Sequence, residues 1–172
     1  MEIVLAGSAD LDRVMEIIGL CVRQMREAGS DQWDEIYPSR EILAADIAAR
    51  SLYLLRDAGE SIAAIVLNEW QSPEYAALAW RREKPLVVHR LCVRPDRQKA
   101  GVGRLLMDFA ETFAAQQGYD SIRLDTYTGN ERAAALYDRR GYQIAGYVRF
   151  PRRRLPFVCF ELLLDQRPVL PQ

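Results

Sequence analysis

Two short stretches of this chain hold residues whose types and spacing could do chemistry. The first reads Val93-Arg94-Pro95-Asp96-Arg97-Gln98-Lys99-Ala100-Gly101-Val102-Gly103, with an apolar run before it and an amphipathic run after it. A strand stopping at Val93 and a helix opening near Gly101 would gather several backbone N–H groups into one concavity. Such a nest, with the positive end of the helix dipole, binds phosphate. Glycine at 101 and 103 keeps a Cβ out of the anion's way. Arg94, Arg97, Lys99 and Arg104 against Asp96 give a local charge of +3. The second stretch reads Asn130-Glu131-Arg132-Ala133-Ala134-Ala135-Leu136-Tyr137, followed by Gly141-Tyr142. Its Tyr137 offers a phenol that could reach the far end of a phosphate-bearing molecule. The loop is not that of nucleotide hydrolases, since no Gly-Lys-Ser/Thr follows. It is a poor dinucleotide fingerprint, because the third glycine is missing.

The elements that must position these residues follow from periodicity. Ile3–Leu5 predicts a short strand. Ser8 precedes a helix whose apolar stripe is Leu11, Val14, Met15, Ile18, Cys21, Val22 and Met25. Asp31–Pro38 is an aromatic and acidic loop, and Ser39 caps a second helix with Ile42, Leu43 and Ile47. Leu52–Arg56 and Ser61–Asn68 form a hairpin about Asp57-Ala58-Gly59-Glu60. Gln71–Lys84 is a long connection, and Leu86–Val93 is a strand. The helix from Gly101 stops at Gly118. Ser121–Tyr127 is a strand, Asn130 caps a short helix ending at Gly141, and Tyr142–Phe150 and Phe157–Leu164 form a final strand pair. The expectation is a mixed α/β (α+β) sheet of about seven strands with four helices, in one domain over residues 1–172.

Composition excludes several classes. The chain has 172 residues, 49% of them hydrophobic, enough for a sizeable core. The net charge of -1 offers no global attraction to nucleic acid or membrane. Cys21, Cys92 and Cys159 are odd in number and lie in apolar runs, so they read as free buried thiols. A single histidine and no paired cysteines argue against a metal site. No apolar run reaches membrane-span length and no signal peptide opens the chain, so a cytoplasmic protein is expected. Its oligomeric state stays open between monomer and homodimer.

The two motifs together resemble the GCN5-related N-acetyltransferases, which move an acetyl group from acetyl-CoA to an amine. The family's loop, Gln/Arg-x-x-Gly-x-Gly/Ala, stands here as Gln98, Gly101 and Gly103. Its later signature, Asn-x-x-Ala-x-x-Leu-Tyr-x-x-x-Gly-Phe, stands here as Asn130, Ala133, Leu136, Tyr137, Gly141 and Tyr142, the last a mild departure. The resemblance runs from Ile3 to about Leu164 and implies the family's acyl-CoA fold. It implies that backbone groups of Leu91, Cys92 and Val93 meet the pantetheine arm. It further implies that amides of Gln98, Lys99, Ala100, Gly101, Val102, Gly103 and Arg104 hold the pyrophosphate. By the same resemblance Asn130 contacts the cofactor and Tyr137 points at the thioester sulfur. The expected co-substrate is acetyl-CoA, with no metal, and the acceptor is a primary amine of a small molecule or peptide, attacking directly in a ternary complex. A non-catalytic CoA-binding sensor on the same scaffold is the alternative.

A lysine-like amine has a pKa of about 10.4, so a route for its proton is needed. His89, the only histidine, shares an alternating strand with Val87, Leu91 and Val93. It reads equally as a base or as a structural residue, and Glu69 is the rival base. A phenol is a weaker acid than an alkyl thiol, so Tyr137 would stabilise the departing sulfur mainly by hydrogen bonding. Trp33, Asp34 and Tyr37 suit a cationic acceptor, whereas Arg152, with Arg149, Arg153 and Arg154, suits a carboxylate or phosphate on it. A zwitterion would satisfy both.

Overall fold

The computed structural model describes residues Met1–Leu164. Its strands are β1 (Glu2–Leu5), β2 (Leu52–Asp57), β3 (Glu60–Asn68), β4 (Pro85–Val93), β5 (Ser121–Tyr127), β6 (Gln143–Val148) and β7 (Phe157–Leu163). Its helices are α1 (Leu11–Glu27), α2 (Arg40–Ala48), α3 (Val102–Gln116) and α4 (Glu131–Arg139). The order of elements is the one the periodicities predict. The strands are hydrogen-bonded in the order β1-β2-β3-β4-β5-β7-β6, a mixed sheet. The chain divides into two compact units, Met1–Asn68 with Val88–Phe109, and Glu69–Val87 with the described residues from Ala110 onward. It passes from one unit to the other after Asn68, inside β4 and inside α3.

In the first unit β1, β2 and β3 form an antiparallel meander. The β2–β3 turn places Ala58 at φ 49° and Gly59 at φ 83°. Two successive positive φ values match the right-handed twist of a hairpin. One core gathers Leu52, Leu54, Ala64 and Val66 of the strands beneath Val14, Ile17, Ile18 and Cys21 of α1 and Leu43 of α2. The Ser39 hydroxyl accepts the Ile42 N–H at 3.4 Å, which caps α2.

In the second unit β5 runs parallel to β4 over Pro85–Val87 and antiparallel to β7 along its length. The Gln71–Lys84 connection contains a 3-10 turn, Pro73–Ala77, that periodicity does not reveal. Tyr75 from that turn is buried with Val87, Tyr127, Phe157 and Cys159, and Trp80 packs against them. Gly146 of β6 is required there. A Cβ on it would lie 2.7 Å from Leu78 Cδ2, and its φ is 152°. Cys21, Cys92 and Cys159 are buried and free, as their apolar setting predicts.

Candidate active site

The loop after β4 is a one-turn 3-10 helix, Pro95–Arg97, followed by Lys99 at φ 66° and Gly101 at φ 79°. Alternating left- and right-handed residues turn successive N–H groups to one side. The amides of Lys99, Ala100, Gly101, Val102, Gly103 and Arg104 have no acceptor among the described residues; the first intrahelical bond of α3 runs from Leu105 N to Gly101 O at 3.1 Å. These are the unsatisfied donors every helix start leaves, gathered with those of the turn before it. The donor set suits an anion bearing several oxygens, as a diphosphate does. Gly101 owes its place to its backbone, because a Cβ there meets nothing within 4 Å.

The loop's charge is smaller than the sequence count. Arg94 donates to Asp96 at 2.7 Å and to Glu60 at 2.6 Å, and Arg97 donates to Asp57 at 3.2 Å. Asp57 and Glu60 belong to the β2–β3 turn, remote in sequence. The Arg94 hydrogen bond holds the Asp96 carboxyl down at about 2. Lys99 and Arg104 have no ion-pair partner among the described residues, so they are the cations left for a ligand. Gln98 serves the loop itself. Its Nε2 donates to Gln24 Oε1 at 2.7 Å and to Val93 O at 3.1 Å. The Val93 carbonyl also accepts from the Cys21 thiol at 3.4 Å, which ties the end of β4 to α1.

Inside β4 the regular alternation fails. Arg90 has φ 48°, a left-handed value rare for a long side chain. His89 therefore does not share a face with Leu91 and Val93 by simple alternation. Arg90 stands between them and donates to both carboxylate oxygens of Asp46 in α2, at 2.8 and 2.7 Å, and to the Tyr37 hydroxyl at 3.2 Å. Both members of the ion pair are about nine-tenths covered, Arg90 at 9% and Asp46 at 10% side-chain exposure. Burial pushes the Asp46 carboxyl up despite Arg90. The buried pair holds Arg90 in this sparsely populated conformation.

In the loop of Trp33, Asp34 and Tyr37 these side chains make contacts within the first unit. Trp33 is 6% exposed and belongs to the core of the first unit. The Asp34 carboxylate accepts the backbone N–H groups of Ile36 at 2.9 Å and Tyr37 at 2.8 Å, holding a tight turn before the cis Tyr37–Pro38 bond. Their first duty is to shape the loop, which the Asx-type spacing in Asp34–Tyr37 could have signalled.

In the second unit Asn130 caps α4, its Oδ1 accepting the Ala133 N–H at 3.2 Å. Tyr137 lies on the buried side of α4, 5% exposed, with the rings of Tyr142 and Phe160 at 5.8 and 5.7 Å. Burial, reinforced by the charge of Asp125, pushes its phenol well above the ordinary range. Glu69 accepts from the Tyr119 hydroxyl at 2.9 Å, just before β5 begins. Asn130 follows the other end of β5. Seven residues at about 3.3 Å each separate the two ends by roughly 20 Å, so the structure does not bring Glu69 and Asn130 together. Arg152 is exposed in the β6–β7 turn at φ 62°. Asp125 escaped the sequence reading. It lies in β5, and the Tyr75 hydroxyl donates to its Oδ2 at 2.6 Å.

Comparison with known proteins places the fold and the family. The acetyltransferase (GNAT) family pattern matches residues 12–142. The chain belongs to the GNAT acetyltransferase family. It is 27% identical over 138 residues to YesJ, an uncharacterized N-acetyltransferase of Bacillus subtilis, covering 76% of each protein. Among solved structures, a GNAT-family acetyltransferase of Streptococcus agalactiae shares the fold with a TM-score of 0.80 at 21% identity, over 94% of both chains. The yncA protein of Salmonella typhimurium, solved with its cofactor acetyl-CoA, superposes with a TM-score of 0.72 at 20% identity, over 100% of this chain and 98% of that one. No helix among the described residues is long and apolar enough to cross a membrane, and no acidic, histidine or cysteine group among them could hold a metal ion.

Proposed function

We propose that this acetyltransferase moves an acetyl group from acetyl-CoA to a primary amine of a small molecule or peptide, with its two units acting as one domain. The observation that carries the reading is the row of amides from Lys99 to Arg104, unengaged among the described residues, beside two cations without an ion-pair partner among them. They would hold the pyrophosphate. Charge-assisted bonds of this kind contribute about 1.5–3 kcal/mol each. Leu91, Cys92 and Val93 would meet the pantetheine arm through their backbone, and Asn130 would orient the cofactor from the start of α4. Acetyl-CoA supplies an acyl carbon activated as a thioester. Tyr137 then has one task, a hydrogen bond to the departing sulfur. Its raised pKa keeps the proton on the phenol, which donates a hydrogen bond to the thiolate rather than the proton itself. Arg152, exposed and cationic, is the group fitted to an acceptor carboxylate. The buried setting of Tyr137 supports a second reading, a CoA-binding sensor without turnover. Calorimetry with CoA, paired with thiol release from acetyl-CoA over an amine panel, tests both. Binding with turnover is expected; binding alone would favour the sensor, and no heat would overturn both.

A further inference from the structure

We propose that Asp125 is the base that takes the acceptor's proton, with Tyr75 as the residue that orients it. The proposal rests on the transferase reading above. Alternation along β5 puts Asp125 on the face of Arg123 and Tyr127, away from Leu124. Its partner across the ladder is Cys159 of β7. It is thereby set among Tyr75, Val87, Tyr127 and Cys159, a largely apolar cluster. Tyr75 is 2% exposed and its hydroxyl occupies Oδ2 at 2.6 Å. Oδ1 accepts no hydrogen bond among the described residues, and Asp125 keeps some contact with solvent. One oxygen is thus fixed while the other is presented, as a directional base requires.

The surrounding groups are those a base needs. Tyr75 and Glu74 come from the 3-10 turn, Cys159 from β7 and Tyr137 from α4. None of these four is a cation; Arg123, the cation on the same face of β5, is engaged by Glu161 at 3.3 Å. Burial raises the carboxyl to about 6, the Tyr75 hydrogen bond lowers it, and Glu74 adds to the rise. A base stronger by about two pKa units than an ordinary aspartate holds an abstracted proton about 100-fold better. The charge of Asp125 also reaches Tyr137 and adds to the rise of its phenol. One unit therefore carries both proton tasks.

The balance is simple. The acceptor ammonium gives one proton to ionised Asp125. Its nitrogen forms the C–N bond as the C–S bond breaks. The second nitrogen proton ends on sulfur, and Asp125 returns its own to water.

Two readouts test this. Carboxyl 13C NMR of aspartate-labelled protein, with no ligand, should show one resonance titrating near 6. It should vanish in Asp125→Asn and move upward in Tyr75→Phe. Thiol release from acetyl-CoA is then followed against pH with spermidine, tyramine and lysine methyl ester. Asp125→Asn should lower kcat/KM by about 100-fold or more and abolish the acid limb. Tyr75→Phe should shift that limb upward in step with the NMR midpoint, which a purely structural bond would not do. Calorimetric acetyl-CoA affinity should hold in both variants. An ordinary aspartate midpoint, or an acid limb retained by Asp125→Asn, overturns the proposal. Acetyl-CoA binding with none of the three amines acetylated overturns it too. Loss of acetyl-CoA binding in the wild type overturns the transferase reading instead.

Discussion

At the scale of the residue, the Tyr137 phenol and the Asp125 carboxylate make separable predictions. The Tyr137 hydroxyl has no protein partner among the described residues, so removing it strands nothing. Tyr137→Phe should leave thermal stability unchanged or slightly raised while lowering kcat by about 10- to 100-fold; unfolding curves and steady-state rates on the same preparation check it. An unchanged kcat would remove the phenol from the mechanism. Asp125 couples to stability with a definite sign. Its carboxyl titrates near 6 in the fold against an ordinary 3.8. Folded protein thus binds this proton more tightly than unfolded chain, and ionisation weakens the fold. Its contribution is fully present below about pH 4 and is lost as pH rises to about 6. Denaturant midpoints of wild type and Asp125→Asn should converge at low pH and part above 6, with the variant gaining. The place of Tyr137 on α4 was legible because a motif marks its position in sequence. Asp125 was not, since its meaning comes from Tyr75, fifty positions away in the chain.

At the scale of the element, the phosphate loop depends on backbone shape more than on charge. Gly101 sits at φ 79° with open space around it. Gly101→Ala should therefore destabilise by about 1–2 kcal/mol from backbone strain alone, measurable by urea unfolding, and should weaken CoA further by displacing the amides. A loss no greater than a few tenths would contradict the loop geometry. The strands and helices were legible because each carries its own period. The helix cap at Asn130 was legible too, from a local rule. Three features were not. The irregularity in β4 at Arg90 is held by Asp46 from another helix. The neutralisation of Arg94 and Arg97 comes from a hairpin turn remote in sequence. The burial of Trp33 is set by core packing. Each depends on a long-range contact, which composition and spacing do not encode.

At the scale of the molecule, a chain of net charge -1 has no overall field to draw in an anionic cofactor. On the proposed reading recognition is local, through oriented amides with Lys99 and Arg104 beside them. The order of seven strands and four helices, legible in full from the sequence, is what delivers the loop to the end of β4 and the Asn–Tyr helix to the end of β5. The central claim is that main-chain N–H groups grip the diphosphate. Amide 15N–1H spectra during a CoA titration test it directly. The resonances of Lys99 to Arg104 should shift most, downfield in the proton dimension, and pantetheine, which lacks the diphosphate, should leave them in place. Spectra in which those amides stay still while CoA binds elsewhere would contradict the account.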